Sequence, residues 1–396
     1  MADLNELSAQ ELGRRLRLAR ENAGIRQEAA AHVISVSRPT LVSIEQGQRR
    51  IRIQELQTLA RYYQTSVNAL LRREAVHTDL MPRFRKLVDT EDSHALEAVK
   101  LLNTLARADV ELENVLGINR RKSYPPERGI SEGDVVELGE RHADELRRWL
   151  GLGLGPLADI FSVIELNLGI RLYQRRLSSG SKVAGLFMYD DAIGACILLN
   201  ANHPLPRRIQ SAAHELGHFV GTRRVPEILV DEEDFLSRDE RFASAFGRAF
   251  VTPAESFSAS FEQLKAITNK LTRRLIILLS HQYGISRQAC VLRLEELRLV
   301  KKGSWEWFDA NGGIKDAQAR EVLGADADRP DPVQKDAVRV VSHRMSLMAH
   351  AAWKRGLMSE GQLAELLNIR RVELRSVIDQ IELEEGEADD AFQLPG

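Results

Sequence analysis

The chain has 396 residues, 43% hydrophobic and 28% charged, with a formal net charge of −2, so it is too long for one small domain and apolar enough to bury real cores. Its two cysteines, Cys196 and Cys290, show no CxxC spacing, which excludes a disulfide framework or a cysteine-rich zinc site and fits a reducing cytoplasm. Neither a leader-like N-terminus nor an apolar run of about 18 residues is present, so no secretion signal and no membrane span are expected.

Charge segregates along the chain. Residues 1–73 hold twelve arginines, no lysine and seven acids, a net +5, which leaves −7 for the remaining 323 residues. A basic head on an acidic body is the distribution expected when one domain alone touches nucleic acid. The periodicity of the head is helical: Leu7, Leu12, Leu16 and Leu18 mark a first helix that stops at Asn22-Ala23-Gly24. A second covers 27–34. Ser37 is the expected N-cap of a third, spanning 38–46, whose Pro39 suits a first turn where a missing N–H costs nothing. Residues 54–63 and 67–71 supply two more, giving a five-helix unit of helix-turn-helix type over 1–73.

These residues, over roughly 8–72, resemble the XRE (lambda-repressor-like) helix-turn-helix family. The likeness is carried by Leu12-Gly13-Arg14-Arg15-Leu16-Arg17, Gly24-Ile25-Arg26-Gln27-Glu28, the run 36–47 (VSRPTLVSIEQG) and Ser66-Val67-Asn68-Ala69-Leu70. The resemblance implies that Gln27, opening the second helix, contacts phosphate or base, and that Arg38, Thr40 and Ser43 on the third helix read the major groove of a double-stranded DNA operator. Arg26 stands where the family usually has a Thr or Ser cap.

Residues 72–129 read as a polar helical connector ending at the Tyr124-Pro125-Pro126 break. Residues 134–150 form another helix that leads to the turn GLGLGPLAD. That turn is no phosphate loop, since no strand precedes it and no Lys-Ser/Thr follows. From Gly169 the texture becomes that of strands: 170–174 alternates, 183–189 and 195–200 are apolar runs, and Asp190-Asp191 supplies a turn. A small mixed or antiparallel sheet is expected.

The helix beginning at Arg207 carries the strongest chemical signal, the run HELGH at 214–218. Positions i and i+4 differ by about 400° of rotation, so His214 and His218 project from one face, one turn apart, and both imidazoles can reach one zinc. Glu215 sits beside the first ligand, placed to take a proton from water at the metal. A catalytic zinc needs a third protein ligand. Residues 239–253 read as a helix ending at Pro253, and Glu240 in its first turn, 22 residues after His218, fits that role.

HELGH, then E-x-x-A-x-x-F, then an apolar pair and a proline, resembles the ImmA/IrrE-type zinc metallopeptidases over roughly 160–310, including the helical pair expected within 278–299. The resemblance implies a zincin-like domain holding one zinc per chain on His214, His218 and Glu240, with Glu215 as general base. Ser244 and Gly247 stand where Asn and Ala are usual. An oxyanion-stabilising group is also expected, and His203, Tyr189 and Tyr283 remain open candidates.

Residues 303–331 read as irregular, with Trp305-Glu306-Trp307-Phe308 as an anchor. Residues 333–353 read as a helix, and 357–367 with 370–381 as a helical pair that packs or self-associates. The tail 382–396, with six acids and no basic residue, reads as disordered.

The fold class expected is therefore mainly α with a small mixed sheet: a helix-turn-helix domain at 1–73, a connector and lead-in at 74–158, a metallopeptidase domain at 159–310, a helical C-terminal region at 311–381 and an acidic tail. By resemblance, the expected function is that of a cytoplasmic, homodimeric bacterial or phage regulator. It would cleave a repressor, an antitoxin-like partner or its own connector in stress, phage or mobile-element control. The alternative is a non-proteolytic repressor or antitoxin whose zinc domain senses a ligand or signal.

Overall fold

The computed structural model describes residues 8–63, 65, 67–71, 93–230, 237–268, 270–324 and 340–387. The chain divides into two units, one holding the five N-terminal helices with Asp109–Gly117, the other the remainder.

The first unit contains α1 (Ala9–Asn22), α2 (Gln27–Val33), α3 (Arg38–Glu45), α4 (Ile53–Tyr62) and α5 (Val67–Leu71), the five helices expected. Leu16, Ala30, Leu41, Ile44, Leu56, Leu59 and Leu70 are buried together as their core. Ser37 caps α3 by accepting from the Thr40 N–H, with Pro39 in the first turn, whereas Arg26 at the start of α2 makes no side-chain capping bond.

Of the connector, 72–92 lies outside the described residues, and α6 (Ser93–Leu116) follows. Next comes α7 (Val135–Leu150), capped by Asp134 and ended by Gly151 in the left-handed conformation, φ +70°. Its Val135, Leu138, Ala143 and Leu146 share one apolar core with the sheet and with Phe219, Phe242 and Phe246. The boundary expected at 158 thus runs through a single core. Arg147, 1% exposed, donates to the carbonyls of Gly153, Gly155 and Phe250, closing the glycine-rich turn around its guanidinium.

A short α8 (Ile160–Ser162) continues as a π-helical stretch, Val163–Asn167. The sheet comprises β1 (Arg171–Arg175), β2 (Val183–Asp190), β3 (Gly194–Asn200) and β4 (Glu227–Val230), in the order β1-β3-β2-β4. β1 runs parallel to β3, while β2 is antiparallel to both β3 and β4. The sheet is mixed, as expected, but β4, a strand of four residues, was not foreseen. Asp190 closes the β2–β3 turn by accepting from the N–H groups of Ala192 and Ile193.

Against the sheet lies α9 (Leu205–Gly221), and against α9 lies α10 (Arg238–Val251). α9 and α10 cross at glycines. A Cβ on Gly217 would lie 2.7 Å from the Ala243 Cα, and one on Gly247 would lie 2.9 Å from the His214 nitrogen. A second core gathers Phe257, Phe261, Ile276, Tyr283, Val291, Leu294 and Phe308 from α11 (Ala254–Thr268), α12 (Arg273–Gln282), α13 (Arg287–Glu296) and α14 (Ser304–Ala310).

Residues 303–331, expected to be irregular, instead form α14 and α15 (Asp316–Leu323) as far as 324, with Phe308 and Val322 packed into that second core. The WEWF run is thus helical, with Phe308 buried and Trp305 packed against that core while Trp307 stays 57% exposed. Residues 325–339 are outside the described set. Of the helix expected at 333–353, the described part is α16 (His343–Lys354), and the pair after it is α17 (Glu360–Leu366) and α18 (Arg371–Glu387). The last helix runs to Glu387, into the stretch expected to be disordered, because Ile378 and Ile381 are buried and extend its packing. Residues 388–396 lie outside the described residues. Glu165, in the π-helical stretch, accepts from the backbone N–H groups of His343 and Arg344 at 3.2 and 2.9 Å, anchoring the start of α16.

Candidate metal centre and nucleic-acid interface

The i,i+4 spacing does on α9 what helical geometry requires. The Nε2 atoms of His214 and His218 lie 3.0 Å apart. Glu240 reaches both from the first turn of α10, its carboxylate oxygens 3.0 Å from His214 Nε2 and 3.3 Å from His218 Nε2. Ser237, the α10 N-cap, accepts from the Glu240 N–H at 3.1 Å and so fixes where that helix begins. Among the described residues this is the one group of three or more His, Cys, Asp or Glu side chains whose ligand atoms converge, all within 4.8 Å.

The outer nitrogens of both imidazoles are also engaged. His218 Nδ1 lies 3.3 Å from Thr222 Oγ1, and Thr222 Oγ1 in turn is 3.5 Å from the His218 carbonyl as a donor. Its hydrogen spent there, the Thr222 oxygen accepts from Nδ1–H and leaves Nε2 as a lone pair. Ser244 Oγ lies 3.2 Å from His214 Nδ1. Burial lowers the pKa of His214, favouring the neutral ring. At Glu240, burial works to raise the pKa, and the imidazoles of His214 and His218 outweigh it and hold the carboxyl well below the ordinary range. Two imidazole nitrogens and one carboxylate meet at the same point, a donor set that fits a divalent zinc.

Glu215, the residue after His214, lies against Gly185 of β2. It is 0% exposed, and among the described residues neither of its carboxylate oxygens has a hydrogen-bond partner. Burial raises its pKa well above the ordinary value, with smaller contributions from Glu240 and Glu227. An unpartnered buried carboxyl is costly to fold around, and such groups concentrate at reacting sites. Of the oxyanion candidates, Tyr283 lies in the second core, its hydroxyl 3.3 Å from Ser256 Oγ. Tyr189 packs against Tyr124 and Arg224. Neither meets the His–His–Glu group in any of these contacts, and the His203 main chain accepts from Arg208.

Sequence reasoning passed over Thr222 and Gly185, and it took Ser244 only as a departure from the family's usual Asn. A usable signal existed for two of them. Thr222 follows His218 by four and Ser244 follows Glu240 by four, so each shares a helix face with a ligand. Gly185 is adjacent to Glu215 through tertiary folding alone.

In the first unit, Gln27 donates to Glu45 at 3.0 Å, and Glu45 holds the buried Arg20 at 2.6 and 3.2 Å. Arg38 Nε lies 3.5 Å from Gln27 Oε1, with the Arg38 side chain 61% exposed. Ser43 Oγ donates to the Pro39 carbonyl, and Thr40 Oγ1 pairs with Ser37 Oγ at 2.8 Å. Gln27 thus links a buried ion pair to the exposed Arg38 at the head of α3. The Arg20–Glu45 pair was not foreseen, although an acid next to Ile44 on the buried side of α3 is its trace in the sequence.

Two family models match the chain: a helix-turn-helix domain at residues 11–73 and the IrrE N-terminal-like domain, a peptidase family, at 166–295. The chain fuses an XRE-type helix-turn-helix to an ImmA/IrrE-type domain. The IrrE-like match takes in the sheet, HELGH and Glu240, and the helix-turn-helix match takes in Gln27, Arg38, Thr40 and Ser43. No curated relative matches. Among solved structures, the crystal structure of ComR from Streptococcus suis aligns over 96% of this chain and 97% of its own at 12% identity, with a TM-score of 0.16, a likeness that carries no argument. No described helix is long and apolar enough to cross a membrane.

Proposed function

We propose that the chain is a DNA-binding transcriptional regulator with zinc-dependent endopeptidase activity, acting in the cytoplasm as a homodimer. Its substrate is a repressor, an antitoxin-like partner or its own connector. The observation that supports this most directly is the meeting of His214, His218 and Glu240 beside an unpartnered buried Glu215. Zinc held there would supply Lewis acidity toward the scissile carbonyl. Glu215 takes the proton of the attacking water and returns it to the leaving nitrogen, and its raised pKa suits both halves of that transfer. Thr222 and Ser244 hold the two imidazoles in the tautomer that presents Nε2. At the other end, Gln27, Arg38, Thr40 and Ser43 contact the operator.

The test is incubation of the zinc-loaded chain and its E215Q variant with candidate partner repressors. Fragments from the wild type alone support the reading, and identical fragments from both end it. For the head, R38A is expected to relax sequence preference at a cost of about 1–3 kcal/mol, while loss of the other head arginines weakens all sequences and flattens the salt dependence.

One observation favours a second reading, a repressor whose zinc domain senses rather than cuts: Glu215, His214 and His218 are 0%, 4% and 1% exposed. On that reading E215Q leaves regulation intact and His214→Ala abolishes it.

A further inference from the structure

α18 presents two faces. Leu374, Ile378 and Ile381, at i, i+4 and i+7, are buried on the side that packs against α16 and α17. Val372, Ser376, Asp379 and Leu383 lie about 140–200° around the helix from Leu374. All four are exposed, Val372 and Leu383 at 71% each. Their spacing, i, i+4, i+7 and i+11, is that of a coiled-coil seam. The seam is apolar at its two ends and polar in its middle, where Ser376 donates to the Val372 carbonyl of its own helix at 3.1 Å.

Charge divides the same helix. Its opening, 370–376, holds Arg370, Arg371 and Arg375 against Glu373, whereas 377–387 holds five acids and no basic residue. Arg370 pairs with Glu373 at 2.9 Å and Arg375 with Glu360 at 2.8 Å, but both guanidiniums stay largely exposed, where such pairs contribute little. Arg371 makes no ion pair among the described residues. With one basic and one acidic end, α18 attracts an antiparallel copy of itself, while a parallel copy would set acid against acid.

We propose that this outer face of α18 pairs antiparallel with the same face of a second copy of the chain. The two-fold axis of that pair passes between Val377 and Ile378. Val372 then meets Leu383 of the second copy at each end, Ser376 meets Asp379 in the middle, and Arg371 lies opposite the acidic half. The polar middle fixes the register, since a slip would return Val372 and Leu383 to solvent. Helices of this length overlap over about 25 Å, and one such pair buries less than the standard interface of about 1,600 Å². A dissociation constant on the order of 10 μM is therefore expected. Duplex DNA is the poorer occupant, because the acidic half of the face repels phosphate. The inference gives the homodimer proposed above a surface, and it needs neither the metal nor the operator of that reading.

Sedimentation of the full chain over about 1–100 μM is expected to show a monomer–dimer equilibrium. V372D should weaken it about tenfold or more, and R371E about fivefold. Both positions are exposed, and circular dichroism checks that the variants stay folded. Oxidation reads the orientation: V372C chains mixed with L383C chains should cross-link about fivefold or more above either chain alone, the native Cys196 and Cys290 being buried. Equal linking by V372C alone overturns the antiparallel pairing. An unchanged affinity in R371E overturns the part given to charge. A dimer that V372D leaves intact and that mixed cysteine chains fail to link overturns the surface, leaving the homodimer to another face. A chain that stays monomeric throughout defeats both, and if V372D then lowers operator affinity the face belongs to nucleic acid.

Discussion

Gly185 of β2 lies so close to Glu215 of α9 that a Cβ built on it would stand 2.5 Å from Glu215 Oε1. The general-base candidate is seated against bare main chain, in a space no other residue type leaves open. G185A is therefore expected to push the carboxylate aside while leaving His214, His218 and Glu240 in place. Proteolysis should fall about 100-fold or more, the usual consequence of misplacing a reacting group by about 1 Å, with zinc stoichiometry unchanged. Loss of zinc together with activity would show that Gly185 serves the metal-bearing helix as a whole.

Ser244 is the outer partner of His214, and S244A leaves Nδ1 to find another. Zinc affinity is expected to drop about 10–100-fold. S244N, which offers an amide oxygen at the same place, should restore most of it. Chelator competition measures both, and an S244A affinity equal to wild type would remove Ser244 from the centre.

The head stands on a buried ion pair. Glu45 is 5% exposed, accepts from Arg20 through two nitrogens and also holds Gln27. E45A strands the Arg20 charge, and a buried pair broken on one side costs about 3–5 kcal/mol. Chemical denaturation of the chain, followed by a probe in the first unit, should show this loss, and DNA affinity should fall with it, since Gln27 loses its anchor. A cost below about 1 kcal/mol would mean the pair is solvated in solution.

Acid should weaken the head through Glu11, which Arg14 and Arg15 hold down to a pKa of about 2 by hydrogen bonding and charge. A carboxyl whose folded pKa is depressed contributes stability above its unfolded value of about 4.5 and loses that contribution as pH falls toward about 2. E11Q is expected to melt below wild type at about pH 6, with the gap narrowing as pH drops from about 4.5 toward about 2. A gap that stays constant across that window would rule out the linkage.

Much of the candidate centre was legible in the sequence because its geometry is local. His214 and His218 are one turn apart on a helix, and Glu240 lies in the first turn of another, marked by Ser237 and ended before Pro253. The head helices were legible for the same reason, α1 stopping before the left-handed Gly24 and α3 opening on its Ser37 cap. What escaped depends on distant neighbours. β4 has only four residues, and its pairing with β2 rather than any pattern of its own makes it a strand. The WEWF segment became helix α14 once Phe308 found the second core. α7 had its apolar stripe in plain view at Val135, Leu138 and Leu146, but nothing in the sequence said that the stripe faces Phe242 and Phe246.

The turn that follows α7 gains a meaning from Arg147. Glycine-rich loops that grip phosphate direct amide hydrogens inward. Here the carbonyl oxygens of Gly153 and Gly155 converge instead on a guanidinium from their own chain. The polarity is inverted, so the loop is a socket for a resident cation, and its repeated glycines let peptide oxygens crowd around a plug that never leaves.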